Sequence, residues 1–521
     1  MSAHILTNPI LPGCHPDPSI CRVGDDFYLV TSTFEYAPGL PVHHSRDLRS
    51  WRLVGHAASQ VPLTGTGSSR GLFAPTIRFH DGTFYVVCTL VSPGEGQPGG
   101  NFLVTATDPA GPWSEPVWLE DAEGIDPSLF FDDDGSVWYV GTHPAHDPQW
   151  PGQTTVWLRE LDLAQRRLVG PVHELWTGAL IGAVWAEGPH LYKVGGRYYL
   201  LAAEGGTAEH HAISVARADA VTGPYVGDRA NPVLTHRHLG RAFPISAVGH
   251  ADLVELADGT WWAALLAVRR GQVFGRETFA VPVTWEDGWP RFAPGVGQVL
   301  TEVPAPDLPA HPWPDERALA DDFTAPDLDP RWDALRALPA TVARLAPAGG
   351  LVLPLRPGEL HEIGTPAFVG RRVEHVDVDV ELEATFDAAG PDERAGLALR
   401  LSDDDHLAVL VTVSPAGERG ALAVRSRRGE RSEHGWVALP DGPVLLRASI
   451  RGQAVTLAAG ASGASGDALA EVAAFDDDTL DPAPERHFTG LWAGPYATSR
   501  GRESAGALHV ARFAFRPAGR G

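Results

Sequence analysis

The sequence contains little of what marks disulfide-stabilised or membrane-embedded proteins. Its 521 residues include only three cysteines, Cys14, Cys21 and Cys88, and this small odd number implies no disulfide framework. No run reaches about 18 apolar residues, so no membrane-spanning helix is predicted. Residues 1–12 show no basic region followed by an apolar run, so no signal peptide is predicted. These features favour a protein of the reducing cytoplasm.

Basic residues are scarce as well. Lysine and arginine number 41 against 65 aspartate and glutamate residues, which gives a formal net charge of −24. A nucleic acid or an anionic membrane is therefore not expected as a partner. A small neutral ligand is compatible with this balance, as is a purely solubilising role for the charge.

One phrase occurs five times before residue 300, and no long helical period interrupts it. Each copy has a short strand, a tight turn such as Asp-Gly or Gly-Gly, and then aromatic residues, a pattern typical of a β-hairpin. The five openings are Asp17-Pro18-Ser19-Ile20, Ala74-Pro75-Thr76-Ile77, Asp126-Pro127-Ser128-Leu129, Glu187-Gly188-Pro189-His190 and His250-Ala251-Asp252-Leu253. A spacing of roughly 50 to 60 residues indicates a radial repeat. The pattern predicts an all-β, five-bladed β-propeller over residues 1–300.

Equivalent positions of propeller blades face one axis. The repeat therefore predicts that Asp17, Asp126, Glu187 and His250 meet there, with Ala74 as the small fifth member. A single acid at the start of a strand is usually a solvated turn residue. Three acids and a histidine in register among five repeats favour a functional site instead.

The second half of the chain has a different character. Prolines 304, 306, 309, 312 and 314 mark residues 301–317 as a stiff linker that cannot sustain a strand ladder. Beyond it, apolar residues alternate with charged ones, as in Val376, Val378 and Val380. Many half-buried strands without helices predict a jelly-roll-like β-sandwich over residues 318–521.

Three carboxyl groups in one cavity raise one another's pKa values, and an aromatic wall raises them further. Such a site can hold one ionised base and one protonated acid near neutral pH. A carboxylate that activates water, opposite an acid that protonates a leaving oxygen, is the machinery of glycoside hydrolysis. Asp17 and Glu187 lie in different blades, which suits the gap of about 6.5–9.5 Å that an inverting mechanism requires.

Six segments together closely resemble glycoside hydrolase family 43, in its β-xylosidase branch with a C-terminal sandwich. They are His15-Pro16-Asp17-Pro18-Ser19-Ile20, Gly124-Ile125-Asp126-Pro127-Ser128-Leu129-Phe130, Ala186-Glu187-Gly188-Pro189-His190, Glu204-Gly205-Gly206-Thr207, Gly249-His250-Ala251-Asp252-Leu253 and Gly275-Arg276-Glu277-Thr278-Phe279. The resemblance implies Asp17 as general base, Glu187 as general acid and Asp126 as the residue that tunes the pKa of the acid.

The same resemblance implies a set of substrate-binding residues. Arg276 would bind the terminal sugar and keep carboxylates ionised, and His250 would lie on the cavity floor beside the base. Further subsite positions are Phe34, Phe73, where family members often have tryptophan, and Thr207. Trp492, in the segment Phe488-Thr489-Gly490-Leu491-Trp492, would close the pocket into a dead end, with burial in the sandwich core as the alternative. Of His210 and His211, only one is expected to face the cavity.

These residues predict an inverting, exo-acting hydrolase that releases D-xylose from the non-reducing end of β-1,4-xylooligosaccharides. The alternatives are an α-L-arabinofuranosidase or dual activity on the same scaffold, a retaining furanosidase, and a non-catalytic carbohydrate-binding propeller. No cofactor and no metal site are expected. The wider family leaves room for a calcium ion, but the sequence has no dedicated oxygen-rich loop. The resemblance also implies homo-oligomers as partners.

Overall fold

The computed structural model describes residues 5–314, 319–463 and 469–518, and almost all regular structure there is β. Five antiparallel sheets of the first domain form the blades of a propeller, and two eight-stranded sheets form the second domain. The predicted fold class is therefore confirmed. Among the described residues, the only helical elements are one helix at Pro339–Val342 and one short 3-10 turn at Asp478–Leu480. None of the described helices is long and apolar enough to cross a membrane.

Each blade consists of four strands in chain order, and blade 4 has one additional short strand. Blade 1 is Ser19–Val23, Asp26–Val30, Pro41–Ser45 and Arg52–His56; blade 2 is Gly71–His80, Thr83–Val91, Gly100–Ala106 and Val117–Trp118; blade 3 is Ile125–Phe131, Val137–Pro144, Thr154–Asp162 and Arg167–Trp176; blade 4 is Glu187–Val194, Arg197–Glu204, Ala212–Ala218 and Val226–Gly227, with Leu234–Thr235; blade 5 is Ile245–Glu255, Trp261–Arg269, Arg276–Glu286 and Trp289–Phe292.

In several blades the backbone is irregular near the start of the innermost strand. One side chain of each such blade is thereby turned towards the propeller axis. Asp17, Asp126 and His250 occupy left-handed backbone conformations, with φ values of 54°, 55° and 50°. In blades 3 and 5 these residues fall where the pairing register shifts. Residues other than glycine rarely adopt such φ values, and they concentrate at functional sites.

Blade 4 departs by one residue from the alignment that the sequence suggested. Its register shift runs from Glu187 to His190, whereas that of blade 3 runs from Ile125 to Ser128. Glu187 is therefore equivalent to Ile125, and Gly188, with φ of 56°, is equivalent to Asp126. A Cβ atom at residue 188 would lie 2.8 Å from the His250 ring, so only glycine fits there. Glu187 thus projects from a different point of its blade than Asp17 and Asp126.

Below Asp17, Asp126 and His250, a second layer of side chains fills the propeller axis. Residues two positions further along a strand face the same way, and here they converge on Asp252, which is fully buried. Asp252 accepts hydrogen bonds from Ser19 Oγ at 2.7 Å, Arg78 Nη1 at 2.8 Å and Tyr192 Oη at 2.6 Å. Burial alone would raise the pKa of Asp252, but Arg78, His190 and Ser19 together outweigh burial and hold that pKa well below its ordinary value.

The chain ends of the propeller are tied together. The strand Ile5–Thr7 pairs with Glu302–Pro304, and the Asn8 side chain donates to the carbonyls of Ala280 and Leu300. The prediction that residues 301–317 carry no ladder is therefore wrong for Glu302–Pro304. Further along the chain, Trp313 packs against blade 1, where the guanidinium carbon of Arg52 lies 3.9 Å from the centre of the Trp313 ring. Residues 315–317 of the predicted linker lie outside the described residues.

The two sheets of the second domain enclose a single large apolar core. The first sheet contains, in spatial order, Arg344–Leu345, Leu351–Pro354, Ala507–Pro517, Val378–Thr385, Val444–Arg451, Ala454–Ala461 and Ala470–Phe475, with Ala320–Asp321 beside Ala507–Pro517; the second contains Glu430–Ala438, Arg419–Arg427, His406–Val413, Arg394–Arg400, Trp492–Thr498, Ala367–Arg372, Asp333–Leu335 and Tyr36–Ala37. The last of these strands comes from the propeller, so the second sheet is built from both domains.

Buried charges fix the sandwich against the propeller. Arg400, fully buried in the sandwich, donates to Glu35 of the propeller at 3.1 Å and to Asp403 at 2.8 Å. Arg336 makes two further bonds to Asp403, at 2.6 and 2.8 Å. If the two domains shifted, these buried charges would lose their partners, which is costly in free energy. The ion pairs therefore hold the sandwich in a defined position on the propeller.

The axial carboxylate is expected to be a major determinant of stability. Asp252→Asn removes the charge that pairs with the mostly buried Arg78, and the loss should lower the free energy of unfolding by about 3–5 kcal/mol. The thermal unfolding midpoint, followed by differential scanning fluorimetry, should fall by several degrees.

The matched control is Asp219→Asn, which removes a carboxylate that is 91% exposed and 3.3 Å from Arg197. Exposed pairs contribute about 0–1 kcal/mol, so the midpoint should hardly move. Equal midpoints for the two variants would contradict a structural role for Asp252.

Candidate active site

A cavity of about 550 Å³ opens on the propeller axis at the ends of the innermost strands. It is lined by both domains. The lining residues are Asp17, Phe34, Arg70, Phe73, Ala74, Ile125, Asp126, Trp185, Glu187, Gly205, Gly206, Thr207, Ala208, His211, His250, Arg276, Pro484, Glu485 and Phe488. All the site residues suggested by the sequence lie here except Trp492.

Asp17 is held as a carboxylate. Its Oδ1 accepts a hydrogen bond from Arg276 Nη1 at 2.9 Å, and its Oδ2 accepts one from Ser32 Oγ at 2.6 Å. His250 Nδ1 lies 4.0 Å from Oδ1. Burial alone would raise the pKa of Asp17, but Arg276, His250 and Ser32 together bring it below the ordinary value. Asp17 is thus ionised at neutral pH and has the protonation state of a base.

Asp126 lies in the same cavity with less compensation. Its Oδ2 accepts a hydrogen bond from the backbone N–H of Gly188 at 3.0 Å. Burial raises the pKa of Asp126 to about 6, and the charge of Asp17 adds to the rise, while His250 and Arg276 oppose it. Asp126 therefore links the base side of the cavity to the strand that carries Glu187.

Glu187 has the opposite electrostatic environment from Asp17. Its half-buried side chain lines the cavity. Burial raises the pKa of Glu187 well above its ordinary value, and the nearby charges of Asp126 and Asp17 raise it further, against a smaller effect of Arg276. The cavity thus combines an ionised carboxylate with a carboxylic acid, the pair that acid–base hydrolysis of an acetal requires.

Arg276 joins three parts of the site. Besides Asp17, its Nη1 donates to Thr207 Oγ1 at 2.9 Å, and its Nη2 donates to the carbonyl of Phe488 at 3.1 Å. Its guanidinium carbon also lies 5.5 Å from the centre of the Phe34 ring and 5.3 Å from that of Phe488. Arg276 is 5% exposed and fixes both the position of the Asp17 carboxylate and its charge.

Of the two adjacent histidines, His211 lines the cavity and His210 is exposed. The His211 ring donates from Nδ1 to the carbonyl of Ala247 at 3.0 Å. Burial lowers its pKa to about 3, so the ring is neutral. A neutral ring that donates through Nδ1 leaves Nε2 as an acceptor, and within the described residues that buried atom has no partner.

Three phenylalanines form an aromatic wall. The ring centres of Phe34 and Phe73 are 5.4 Å apart, and Phe488 lies 6.0 Å from Phe34 and 5.8 Å from Phe73. Both predicted aromatic positions therefore face the cavity. Phe488 comes from the sandwich domain, and its backbone N–H donates to Ser69 Oγ of the propeller at 3.0 Å.

The prediction that Trp492 closes the pocket is wrong. Trp492 is completely buried, stacks on Tyr36 with ring centres 3.8 Å apart, and donates from Nε1 to Asp333 at 3.0 Å. It begins a central strand of the sandwich, where its side chain packs at the junction of the domains. The predicted segment does reach the cavity, but through Phe488, four residues earlier.

Sequence analysis missed several lining residues. Trp185 is 50% exposed beside the cavity, and Arg70 and Glu485 lie in loops outside the repeated phrase. Trp185 stands two residues before Glu187 and has φ of 48°, but no sequence pattern marks that conformation. Among the described residues, the only group of three metal-type ligands that could share an ion lies outside this cavity.

Comparison with known proteins supports the assignment at the level of both domains. Residues 6–290 match glycosyl hydrolases family 43, and residues 320–516 match the beta xylosidase C-terminal Concanavalin A-like domain. The chain is 47% identical over 419 residues to a xylosidase/arabinosidase of Butyrivibrio fibrisolvens, covering 78% of this chain and 80% of the relative. It is 38% identical over 529 residues to a non-reducing end alpha-L-arabinofuranosidase of Bacteroides ovatus, covering 98% of this chain and 94% of the relative.

The crystal structure of a xylan beta-1,4-xylosidase from Bacillus halodurans superposes on 98% of this chain and 100% of its own, with a TM-score of 0.91 and 35% identity. These similarities span the cavity and the sandwich segment that borders it. The chain therefore belongs to glycosyl hydrolases family 43 and is a glycoside hydrolase.

Proposed function

We propose that this hydrolase is an inverting exo-β-1,4-xylosidase that releases D-xylose from the non-reducing end of β-1,4-xylooligosaccharides. The observation that carries the proposal is the opposite displacement of two pKa values in one cavity, that of Asp17 downward and that of Glu187 upward. The named activities of the relatives from Butyrivibrio and Bacillus halodurans support xylosides as substrates.

In the proposed reaction, Asp17 takes a proton from a water molecule as the water oxygen bonds to the anomeric carbon. Glu187 gives its proton to the glycosidic oxygen as the bond between that oxygen and the anomeric carbon breaks. No covalent intermediate forms. After the reaction Asp17 is protonated and Glu187 is ionised. Proton exchange with solvent restores the starting state of both residues. Arg276 keeps Asp17 ionised before attack, and Asp126 keeps Glu187 protonated.

The shape of the cavity supports exo action. The layer around Asp252 fills the propeller axis below the site, so a chain cannot pass through. Pro484, Glu485 and Phe488 of the sandwich border the opening. A site bounded on these sides accepts the end of a chain and accommodates few sugar units.

An α-L-arabinofuranosidase activity is the second candidate. It is favoured by the name of the Bacteroides ovatus relative, which matches this chain over 98% of its length. The same acid and base would serve either sugar, because both reactions are acetal hydrolysis at an anomeric carbon.

Replacement of either proposed catalytic residue should abolish most turnover. Asp17→Asn and Glu187→Gln should each lower kcat on xylobiose by at least about 100-fold, since acid and base catalysis contribute about 10² to 10⁴ each. With a dinitrophenyl xyloside, whose leaving group needs no proton, Glu187→Gln should recover much of its rate and Asp17→Asn should not.

The thermal midpoint and circular dichroism of both variants serve as folding controls. Near wild-type turnover in a folded variant would refute its assignment. Recovery of Asp17→Asn rather than Glu187→Gln would exchange the two roles.

The pH profile of kcat/KM should be bell-shaped, with activity requiring ionised Asp17 and protonated Glu187. The pKa that governs the acid limb should lie below the usual value for a carboxyl group, and the pKa that governs the alkaline limb should lie above it. Asp126→Asn removes a negative charge that disfavours ionisation of Glu187. Glu187 should then lose its proton at lower pH, so the alkaline limb should move to lower pH. An unmoved or raised alkaline limb would contradict the tuning role of Asp126.

Substrate and stereochemistry can be tested together. We expect a higher kcat/KM on nitrophenyl β-D-xyloside than on nitrophenyl α-L-arabinofuranoside, and α-D-xylose as the first product of xylobiose in time-resolved proton NMR. A higher arabinofuranoside rate would favour the second candidate. Initial release of β-D-xylose would establish retention and exclude the proposed mechanism.

A further inference from the structure

A cluster of metal-type ligands lies on blade 3, outside the catalytic cavity. Glu123 stands two residues before the strand Ile125–Phe131, and His143 is near the end of the neighbouring strand Val137–Pro144. Ile125 pairs with Thr142 in this hairpin, which brings the backbone before Ile125 alongside His143. A Cβ atom at Gly124 would lie 2.8 Å from the Cβ of His143, so the two segments are in close contact. His146 follows in the adjoining loop.

The ligand atoms of the three side chains lie close to one another. One ligand atom from each of Glu123, His143 and His146 lies within 4.8 Å of the other two. Glu123 Oε2 and His146 Nε2 are 3.5 Å apart, and the two imidazole rings have centres 4.5 Å apart. Tetrahedral ligands at about 2.0–2.2 Å from a zinc ion lie roughly 3.3–3.5 Å from one another, so the Glu123–His146 separation already fits.

The ring of His143 is set for metal binding. It is 5% exposed, and its Nδ1 donates to the carbonyl of Pro144 at 2.8 Å. Metal-binding histidines commonly donate one ring nitrogen to a carbonyl in this way, which fixes the ring and leaves the other nitrogen as the ligand. His146 and Glu123 have side chains that are 67% and 58% exposed, so they are free to close on an ion.

We propose that Glu123, His143 and His146 form a binding site for a divalent transition metal ion of the zinc type. Two imidazoles and one carboxylate suit zinc and its neighbours, whereas calcium and magnesium prefer an all-oxygen set. A water molecule would complete a tetrahedral shell. The ion would tie the loop after Pro144 to the segment that leads into Ile125 and Asp126. This site is independent of the proposed xylosidase activity.

The test is calorimetric titration of tag-free, chelator-treated full-length protein with zinc chloride in the presence of millimolar calcium chloride. We expect one zinc ion per chain. His146→Ala and Glu123→Gln should each weaken binding at least about tenfold, because each removes one of three ligands. Both residues are exposed, so the variants should fold normally, which circular dichroism will verify.

The matched control is His80→Ala. His80 Nε2 lies 3.4 Å from Asp81 Oδ2, an exposed histidine–carboxylate pair that belongs to no group of three ligands in the described part of the chain. Its loss should leave zinc affinity unchanged. The proposal is overturned if wild-type protein binds no zinc, or if His146→Ala binds zinc as tightly as wild-type protein. Zinc binding that is abolished by Asp17→Asn but not by His146→Ala would place the ion in the catalytic cavity and also overturn it.

Discussion

The buried carboxylate of Asp252 connects the blades on which the active site depends. It accepts hydrogen bonds from blade 1 through Ser19, from blade 2 through Arg78 and from blade 4 through Tyr192. Arg78 in turn contacts His190, which lies 3.3 Å from Ser128 of blade 3. All five blades are therefore joined through one polar cluster. A buried charge of this kind is tolerable only when fully paired, so the cluster favours one angular arrangement of the blades.

The polar cluster also positions the cavity residues that stand next to it in the innermost strands. Asp17, Asp126 and His250 adopt uncommon backbone conformations two residues before Ser19, Ser128 and Asp252 of the polar layer. The Asp17 side chain is held by Arg276 and Ser32, and that of Asp126 by the backbone N–H of Gly188. Preorganised charges in a partly dehydrated cavity interact strongly, which explains how three carboxyl groups acquire such different pKa values within a short distance.

The repeat predicted both the propeller and the meeting of three acids on its axis, because period and residue type are properties of the chain itself. The one-residue offset of Glu187 was not predictable, since it depends on a register shift between strands and on the His250 ring beside Gly188. Trp492 and Phe488 show the same limit. Both are large aromatics in one segment, and only the docking of the sandwich decides which of them is buried. The structural role of Asp252 was also not predicted from the sequence, because its hydrogen-bond partners come from three other blades.

The contact between Arg276 and the carbonyl of Phe488 has a consequence for how the enzyme is made and how it diverges. Phe488, which completes the aromatic wall, lies 212 residues after Arg276 in the chain, and Arg276 lies 259 residues after Asp17. The pocket of a newly synthesised propeller is therefore complete only after the sandwich domain has been made as far as Phe488. Exchange of the C-terminal module between related genes would reshape the mouth of the pocket while leaving the reacting groups untouched.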